Sequence, residues 1–219
     1  MKDIVLIGMQ GSGKGTQGDI LMDHYGFSRF ESGSYLRSMA TQETDLGQLI
    51  KSLIDQGSFI PDNLILEIFK YYLLNVPKDK PIIYDGIPRN VDQYTHFNEI
   101  VTDLGRDYVV LYLYIGEKEA LRRLNTRKIC MNCGRSYPSL YEKDVCEKCN
   151  VPLTIRADDT NKDAVLKRIS IYREQTMPII ELYKKEGKLI EINGERSIEE
   201  VYKDVEHALL SAGVLSNQP

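Results

Sequence analysis

Short apolar or β-branched runs at Ile4 to Ile7, Ile82 to Tyr84, Val109 to Ile115 and Leu189 to Ile192 punctuate a chain that elsewhere repeats its apolar residues at helical spacing. Leu64, Ile65, Ile68, Phe69, Tyr72 and Leu73 follow Pro61-Asp62 in that spacing, and Val165, Ile169, Tyr172, Thr176 and Ile179 do the same further on. Ser197-Ile198-Glu199-Glu200 has the form of a capping box and predicts a helix to about Leu210, after which Ser211 to Pro219 is expected to fray. The alternation predicts an α/β fold of parallel strands joined by crossover helices. Two stretches interrupt it. From Ser32 to Ile60 short helices follow one another with no strong strand, which predicts a helical insertion. From Lys128 to Ile155 the chain is dense in Cys, Gly, Pro and Tyr, and a stretch that long without periodicity predicts a small domain or a functional loop.

The first strand runs into Gly8-Met9-Gln10-Gly11-Ser12-Gly13-Lys14-Gly15-Thr16, and a helical pattern follows through Asp19, Ile20, Leu21 and His24. Glycines let successive backbone N–H groups turn toward one anion, and the helix presents its positive end to the same point. Lys14 adds a mobile charge that can follow a phosphoryl group. Strand, loop and helix in that order predict a cradle for the phosphates of a nucleoside triphosphate; a plain glycine-rich turn, the competing reading, does not require that context. Gly15 rather than a hydroxyl residue follows Lys14, and the hydroxyl comes at Thr16. Magnesium is therefore expected to be held through water and phosphate oxygens.

With 219 residues, 42% hydrophobic and 27% charged, the chain reads as one globular core with excursions or as two domains, without long disordered regions. A net charge of −4 excludes global attraction to nucleic acid or an anionic membrane, so any basic site must be local. The apolar run before Gly8 is too short for a signal peptide or a membrane span, and a cytoplasmic protein is expected. A structural disulfide is unexpected in that compartment, yet all the cysteines fall in one segment. Cys130-Met131-Asn132-Cys133 and Cys146-Glu147-Lys148-Cys149 form two C-x-x-C turns, each followed by a residue, Gly134 or Asn150, that tolerates positive φ. The pattern predicts a closed, structural Zn2+ site with no histidine ligand. A redox centre would need only one pair, a nucleic-acid ribbon would need an extended basic surface, and iron can replace zinc among such thiolates.

Gly13-Lys14-Gly15-Thr16 combined with Asp85-Gly86-Ile87-Pro88-Arg89 resembles the adenylate kinases, within the wider nucleoside monophosphate kinase family. The resemblance runs through most of the chain, with Leu36-Arg37 after Ser32-Gly33, Gln93 after Arg89, Arg123 with Arg127, Arg156 with Asp158-Asp159, Arg168, and Gly194. It implies a P-loop NTPase-type, five-stranded parallel sheet with helices on both faces. It further implies a core of residues 1–31, 61–127 and 156–219, a helical NMP-binding insertion at 32–60 and a small zinc-binding lid at 128–155. The activity implied is reversible transfer of the terminal phosphoryl group of ATP to AMP, giving two ADP, by a monomer that uses Mg2+ and has neither nucleic acid nor membrane as partner.

The roles implied by motif position follow. Lys14, Arg89, Arg123, Arg127, Arg156 and Arg168 would carry catalysis. Gly11, Ser12, Gly13, Lys14, Gly15, Thr16, Arg123, Arg127, Ser136, Tyr137 and Arg196 would bind ATP. Ser32, Arg37, Ser58, Phe59, Ile60, Gly86, Ile87, Pro88, Arg89, Gln93, Arg156 and Arg168 would bind AMP, and Asp85 would orient magnesium-bound water. Cys130, Cys133, Cys146 and Cys149 would hold the lid zinc. Arg106, Arg122 and Arg173 match no motif and are expected to be surface charges. Asp158 and Asp159 would pair with arginines or form a solvated turn.

The chemistry agrees with these roles. The acceptor is already an anionic phosphate, so no general base is needed, and the obstacle is gathering negative charges in one place. Positioned guanidinium groups and N–H donors in a dry site answer that obstacle. Three positions depart from the common pattern of the family: Ser34 stands where it has Asp, Gln10 where it has Pro, and Ile87 where it has Phe. A UMP or CMP kinase of the same fold is the near rival, and Asn90 resembles that branch. Gln93 favours AMP, since an amide can both donate to and accept from the adenine edge. A rival of another class is a non-catalytic nucleotide-dependent binding factor with a zinc ribbon, which would not require the arginine set.

Overall fold

The computed structural model describes residues 2–55, 60–138, 141–155, 159 and 161–216. Every side chain of β1 (Asp3–Ile7) is buried, and the strand divides its apolar residues between two faces: Val5 and Ile7 enter one cluster, Ile4 and Leu6 another. A strand covered by helices on both sides requires this division, which explains its unbroken apolar run. β1 lies at the centre of a five-stranded sheet in the order β2-β3-β1-β4-β8. The other strands are β2 (Ser28–Glu31), β3 (Ile82–Asp85), β4 (Tyr108–Tyr114) and β8 (Leu189–Asn193), and every pairing in this sheet is parallel.

One face is covered by α1 (Lys14–Tyr25) and α9 (Ile198–Ser211), through Leu21, Val201, Val205 and Leu209. The capping box at Ser197 is formed as the sequence predicts. The other face is covered by α4 (Asp62–Asn75), α5 (Val91–Asp103), α7 (Lys162–Ile171) and α8 (Met177–Lys185). On that side Phe69 and Phe97 stack with centroids 5.2 Å apart, and the Tyr84 ring meets Phe97 edge-on. Truncating a ring such as Phe69, which is wholly buried, costs about 3–5 kcal/mol in a core of this kind. α2 (Ser32–Met39) and α3 (Asp45–Asp55) follow β2 directly, and α6 (Glu117–Leu124) follows β4. A separate antiparallel sheet in the order β6-β5-β7 joins β5 (Lys128–Cys130), β6 (Ser136–Tyr137) and β7 (Leu153–Ile155).

Four findings correct the sequence reading. β2 does not stand out in the residue pattern, because a four-residue edge strand with Phe30 as its only buried residue shows no apolar run. The helical pattern from Val165 to Ile179 is interrupted by a π-helical turn, Tyr172–Thr176, between α7 and α8. The C-terminal residues do not all fray, since Val214 and Leu215 bury against the α9 side of the core. Arg106 is no surface charge: its side chain is 9% exposed and its guanidinium forks onto the buried Asp3 carboxylate at 2.6 and 2.9 Å. Arg122 and Arg173 do lie exposed, paired with Glu119 and Glu117.

Candidate active site

The loop after β1 closes on itself before any ligand arrives. The Lys14 ammonium donates to the Gly8 and Met9 carbonyls at 2.6 and 3.1 Å, and Ser12 N–H donates to the Met9 carbonyl at 3.0 Å. Gly13 takes φ 97° and caps α1, a conformation that a side chain would strain. Gly15 and Thr16 begin α1, so their positions put backbone N–H groups in its first turn. The Ser12 hydroxyl is buried and has no partner among the described residues. Loss of hydration is the main cause that lowers the Lys14 pKa to about 8; Asp85 opposes it, while Arg89, Arg127 and Arg29 add to it. Cations from four distant segments thus surround one point at the carboxyl edge of the sheet, where open parallel sheets place their ligands.

Opposite the loop, β3 ends at Asp85, and Gly86 turns the chain with φ 83°. That positive φ favours glycine, and a side chain there would also displace Ser32 Oγ and Arg89 NH2, which would stand 2.5 and 2.8 Å from its first carbon. Ile87 and Pro88 are buried and leave Arg89 exposed above them, with Nε donating to the Gly86 carbonyl at 2.8 Å and NH2 to Ser32 Oγ at 3.2 Å. Arg37, half-exposed, lies 3.9 Å from Glu31. Gln93 is buried; its carbonyl accepts from Arg89 N–H at 2.9 Å and its amide donates to Asp62 at 2.5 Å, which leaves one donor and one lone pair for a base. Asn90 is the cap of α5, accepting from Gln93 N–H and donating to Asp62, so its identity has a structural cause. Ile60 packs against the apolar core. Ser58, Phe59, Arg156 and Asp158 lie outside the described residues.

Arg127 and Arg168 both bind Asp159, whose side chain is wholly buried, at 2.6 and 2.8 Å. Arg123 pairs with Glu119 at 2.6 Å and reaches the Gly11 carbonyl at 3.3 Å, which attaches α6 to the loop. Arg196 is not among these groups; it pairs with Asp204 at the surface. Its neighbour Gly194 does touch the loop, since a side chain there would stand 2.8 Å from the Ser12 carbonyl.

The small sheet brings the four cysteines together, with all sulfurs within 4.8 Å of one another and none in a disulfide. Both turns close as the sequence predicts, through Gly134 and Asn150 at positive φ. Tyr137 does not present its side chain to a ligand: the ring is buried against Tyr141, and its hydroxyl donates to Cys146 Sγ at 3.2 Å. That bond and backbone N–H donors hold the Cys146 thiol below its ordinary value although burial pushes it up. Ser136 pairs with Ile129 in the same sheet. The sheet leans on the core, with Arg135 bridging Glu147 at 3.0 Å and Asp23 of α1 at 2.9 Å. Gly134 approaches α2, where a side chain would sit 3.4 Å from Ser34 Oγ.

Sequence reasoning missed three contributors. Arg29 in β2 binds Asp85, Thr176 of the π-helical turn donates to the Arg89 carbonyl at 2.9 Å, and Arg135 docks the small sheet. The charge of Arg29 beside Phe30, three residues before Ser32-Gly33, was the only available signal for the first. The other two carried none.

An open parallel sheet with a glycine loop and converging cations at its carboxyl edge defines a P-loop phosphotransferase. The family model described as Adenylate kinase matches residues 6–188. Curated proteins named Adenylate kinase from Methanocella arvoryzae, Acetivibrio thermocellus and Bacillus subtilis are 37%, 33% and 34% identical to the chain, each comparison covering 94% of it and 97% of the relative. The chain belongs to the adenylate kinase family. It is an enzyme whose substrates are ATP, AMP and ADP, and it moves the terminal phosphoryl group of ATP reversibly onto AMP to give two ADP. No helix among the described residues is long and apolar enough to cross a membrane.

Proposed function

We propose that this transfer is carried by Lys14, Arg89, Arg123, Arg127, Arg156 and Arg168 around the loop Gly11 to Thr16, with AMP held by Arg37, Arg89, Gln93 and the residues about Gly86. The observation that supports it best is the buried Lys14 ammonium, tied to the Gly8 and Met9 carbonyls and lowered to about 8 first by loss of hydration, with Arg89 and Arg127 adding to the shift. A dehydrated cation with other cations near it favours the entry of several phosphates together. Arg127 and Arg168 would meet the transferring group already aligned by Asp159, so little reorganisation accompanies the charge shift. The acceptor phosphate attacks without a base.

Asp85 suits a magnesium-water site: it is a nearly buried carboxylate whose Oδ1 accepts no hydrogen bond among the described residues. When bound, magnesium would supply charge that neutralises the phosphates. The four cysteines suit zinc. Cys133 and Cys146 Sγ lie 3.7 Å apart, close to the roughly 3.8 Å edge of a tetrahedron with Zn–S bonds of about 2.3 Å. Residues 128–155 would be a lid held by that ion, residues 32–60 the monophosphate insertion, and the remainder the core. Free cysteines outside any disulfide accord with a cytoplasmic setting.

Incubating the purified protein with ADP and magnesium tests the assignment, with ATP and AMP expected in equal amounts. In an acceptor panel of AMP, UMP, CMP and GMP, equal or greater turnover with UMP would overturn the preference for AMP. Metal analysis of the purified protein checks for one zinc per chain.

A further inference from the structure

Arg29 stands near the end of β2, in parallel register with β3, so that Arg29 lies beside Ile83 and Glu31 beside Asp85. Its side chain is 11% exposed. From that position the guanidinium spans two elements of the site. NH1 donates to Asp19 Oδ1 of α1 at 2.9 Å and to the Gly15 carbonyl at 3.3 Å, while NH2 donates to Asp85 Oδ2 at 2.5 Å. The first arm therefore grips the helix that follows the phosphate loop, and the second grips the carboxylate at the end of β3. Only a planar fork with donors on separate nitrogens makes both contacts at once; an ammonium is a single point charge.

We infer that Arg29 is a positioning residue for phosphoryl transfer, holding Asp85 by Oδ2 so that Oδ1 faces the metal-bound water beside the phosphates. The inference rests on the assignment of Asp85 made above. Two physical effects of Arg29 oppose each other. Its charge lowers the attraction of the site for a cation, whereas its fork removes the rotational freedom of the carboxylate that must orient water. Asp85 is one of three carboxylates around the guanidinium, with Asp19 and Glu31, and without the fork their mutual repulsion would turn it from its present direction. Orientation wins when the carboxylate acts through water, because a water bridge is more sensitive to direction than a charge at a distance is.

The measurement is the gain in affinity for a non-hydrolysable ATP analogue when magnesium is added, read by titration calorimetry on the zinc-loaded protein. In Arg29→Lys, which keeps the charge and loses the fork, that gain is expected to fall about tenfold, the lower end of the effect of removing a group that orients a metal site. Arg29→Ala is expected to fall at least as far. In Arg29→Lys, affinity for the analogue without magnesium and KM for AMP should stay as in the wild type, while kcat falls with the magnesium gain. If Arg29→Lys keeps or increases the gain while Asp85→Asn abolishes it, Arg29 acts only as structure or as charge, and the inference is overturned. If Asp85→Asn keeps the gain, the assignment of Asp85 itself fails and the inference falls with it.

Discussion

The phosphate loop and the tetracysteine sheet are both short irregular segments, yet they are held in opposite ways. The loop hangs from the central strand of a doubly covered sheet, with a strand buried at every position behind it. Its shape is backbone shape, set by glycine conformations and by carbonyls that the lysine itself ties down. Among the described residues the small sheet has almost no core: its buried cluster is Cys130, Tyr137 and Cys146, so two of those three are thiols. A segment so poor in apolar area cannot offset its own conformational entropy and needs a cross-link. The difference teaches that a site requiring fixed N–H groups is built on burial. A segment with little burial of its own is instead tied to the core by surface charge, as Arg135 ties the small sheet to Asp23.

The sharpest test of that separation is Lys14→Ala. Turnover is expected to fall about 10³-fold, as for loss of a principal electrostatic donor, with the metal content of the cysteine cluster unchanged. Loss of metal in the same variant would show that the two regions are not independent. The converse test is removal of the metal by a chelator or by Cys146→Ala. Limited proteolysis should then cut within 128–155 while the core stays folded and still binds ATP. Turnover should drop about 100-fold, the scale associated with a misplaced positioning element. An unchanged melting temperature after metal removal would contradict a structural role for the ion.

pH separates the regions more finely. In the folded, nucleotide-free protein the Lys14 pKa is lowered from 10.5 to about 8. Only the cation attracts phosphate, so ATP affinity should be level below pH 8 and fall about tenfold per pH unit just above it, until the pKa of the complex is reached. Stability responds with the opposite sign. Between about pH 8 and 10.5 the unfolded chain retains a proton that the folded chain has released, so stability rises with pH relative to a Lys14→Met control. Parallel affinity and denaturation series would show curves moving apart; curves moving together would contradict the lowered lysine. The smallest effect belongs to the docking charge. Arg135→Ala should raise KM for ATP about twofold with little change in melting temperature, since Asp23 and Glu147 are largely exposed and the more buried Asp19 lies at 3.7 Å, beyond hydrogen-bond reach. The difference should vanish in high salt.

What was legible in the chain divides along the same line. Residues whose type is dictated by backbone geometry announced themselves: Gly13, Gly86, Gly134 and Asn150 all take positive φ, and the paired C-x-x-C turns bring their four sulfurs together. Strands buried on both faces were equally plain, because nothing polar interrupts them. β2 was hidden, since one face carries Phe30 and the other carries Arg29 and Glu31, which serve the site instead of the core. Arg106 and Arg29 were missed for a shared reason. A buried arginine is indistinguishable in sequence from a solvated one until the carboxylate that pairs with it is known, and Asp3 and Asp85 lie far from them along the chain. Asn90 was ambiguous because one residue served as a helix cap and as an apparent mark of a different nucleotide preference.

The π-helical turn at Tyr172–Thr176 sets the phase between the two helices it joins. Val165 and Ile169 before it, Tyr172 and Thr176 within it, and Ile179 and Tyr183 after it all point inward, and Thr176 meets the Arg89 carbonyl. Such a turn holds one residue more than the α-helix it interrupts, so deleting one residue here would leave unbroken α-helix with Ile179 and Tyr183 still facing the core. Straightening the turn without a deletion would instead rotate everything downstream by about 100° and swing both residues off the core. The extra residue is therefore separable from the packing of the helices on either side, and its loss would be felt first where Thr176 meets the Arg89 carbonyl.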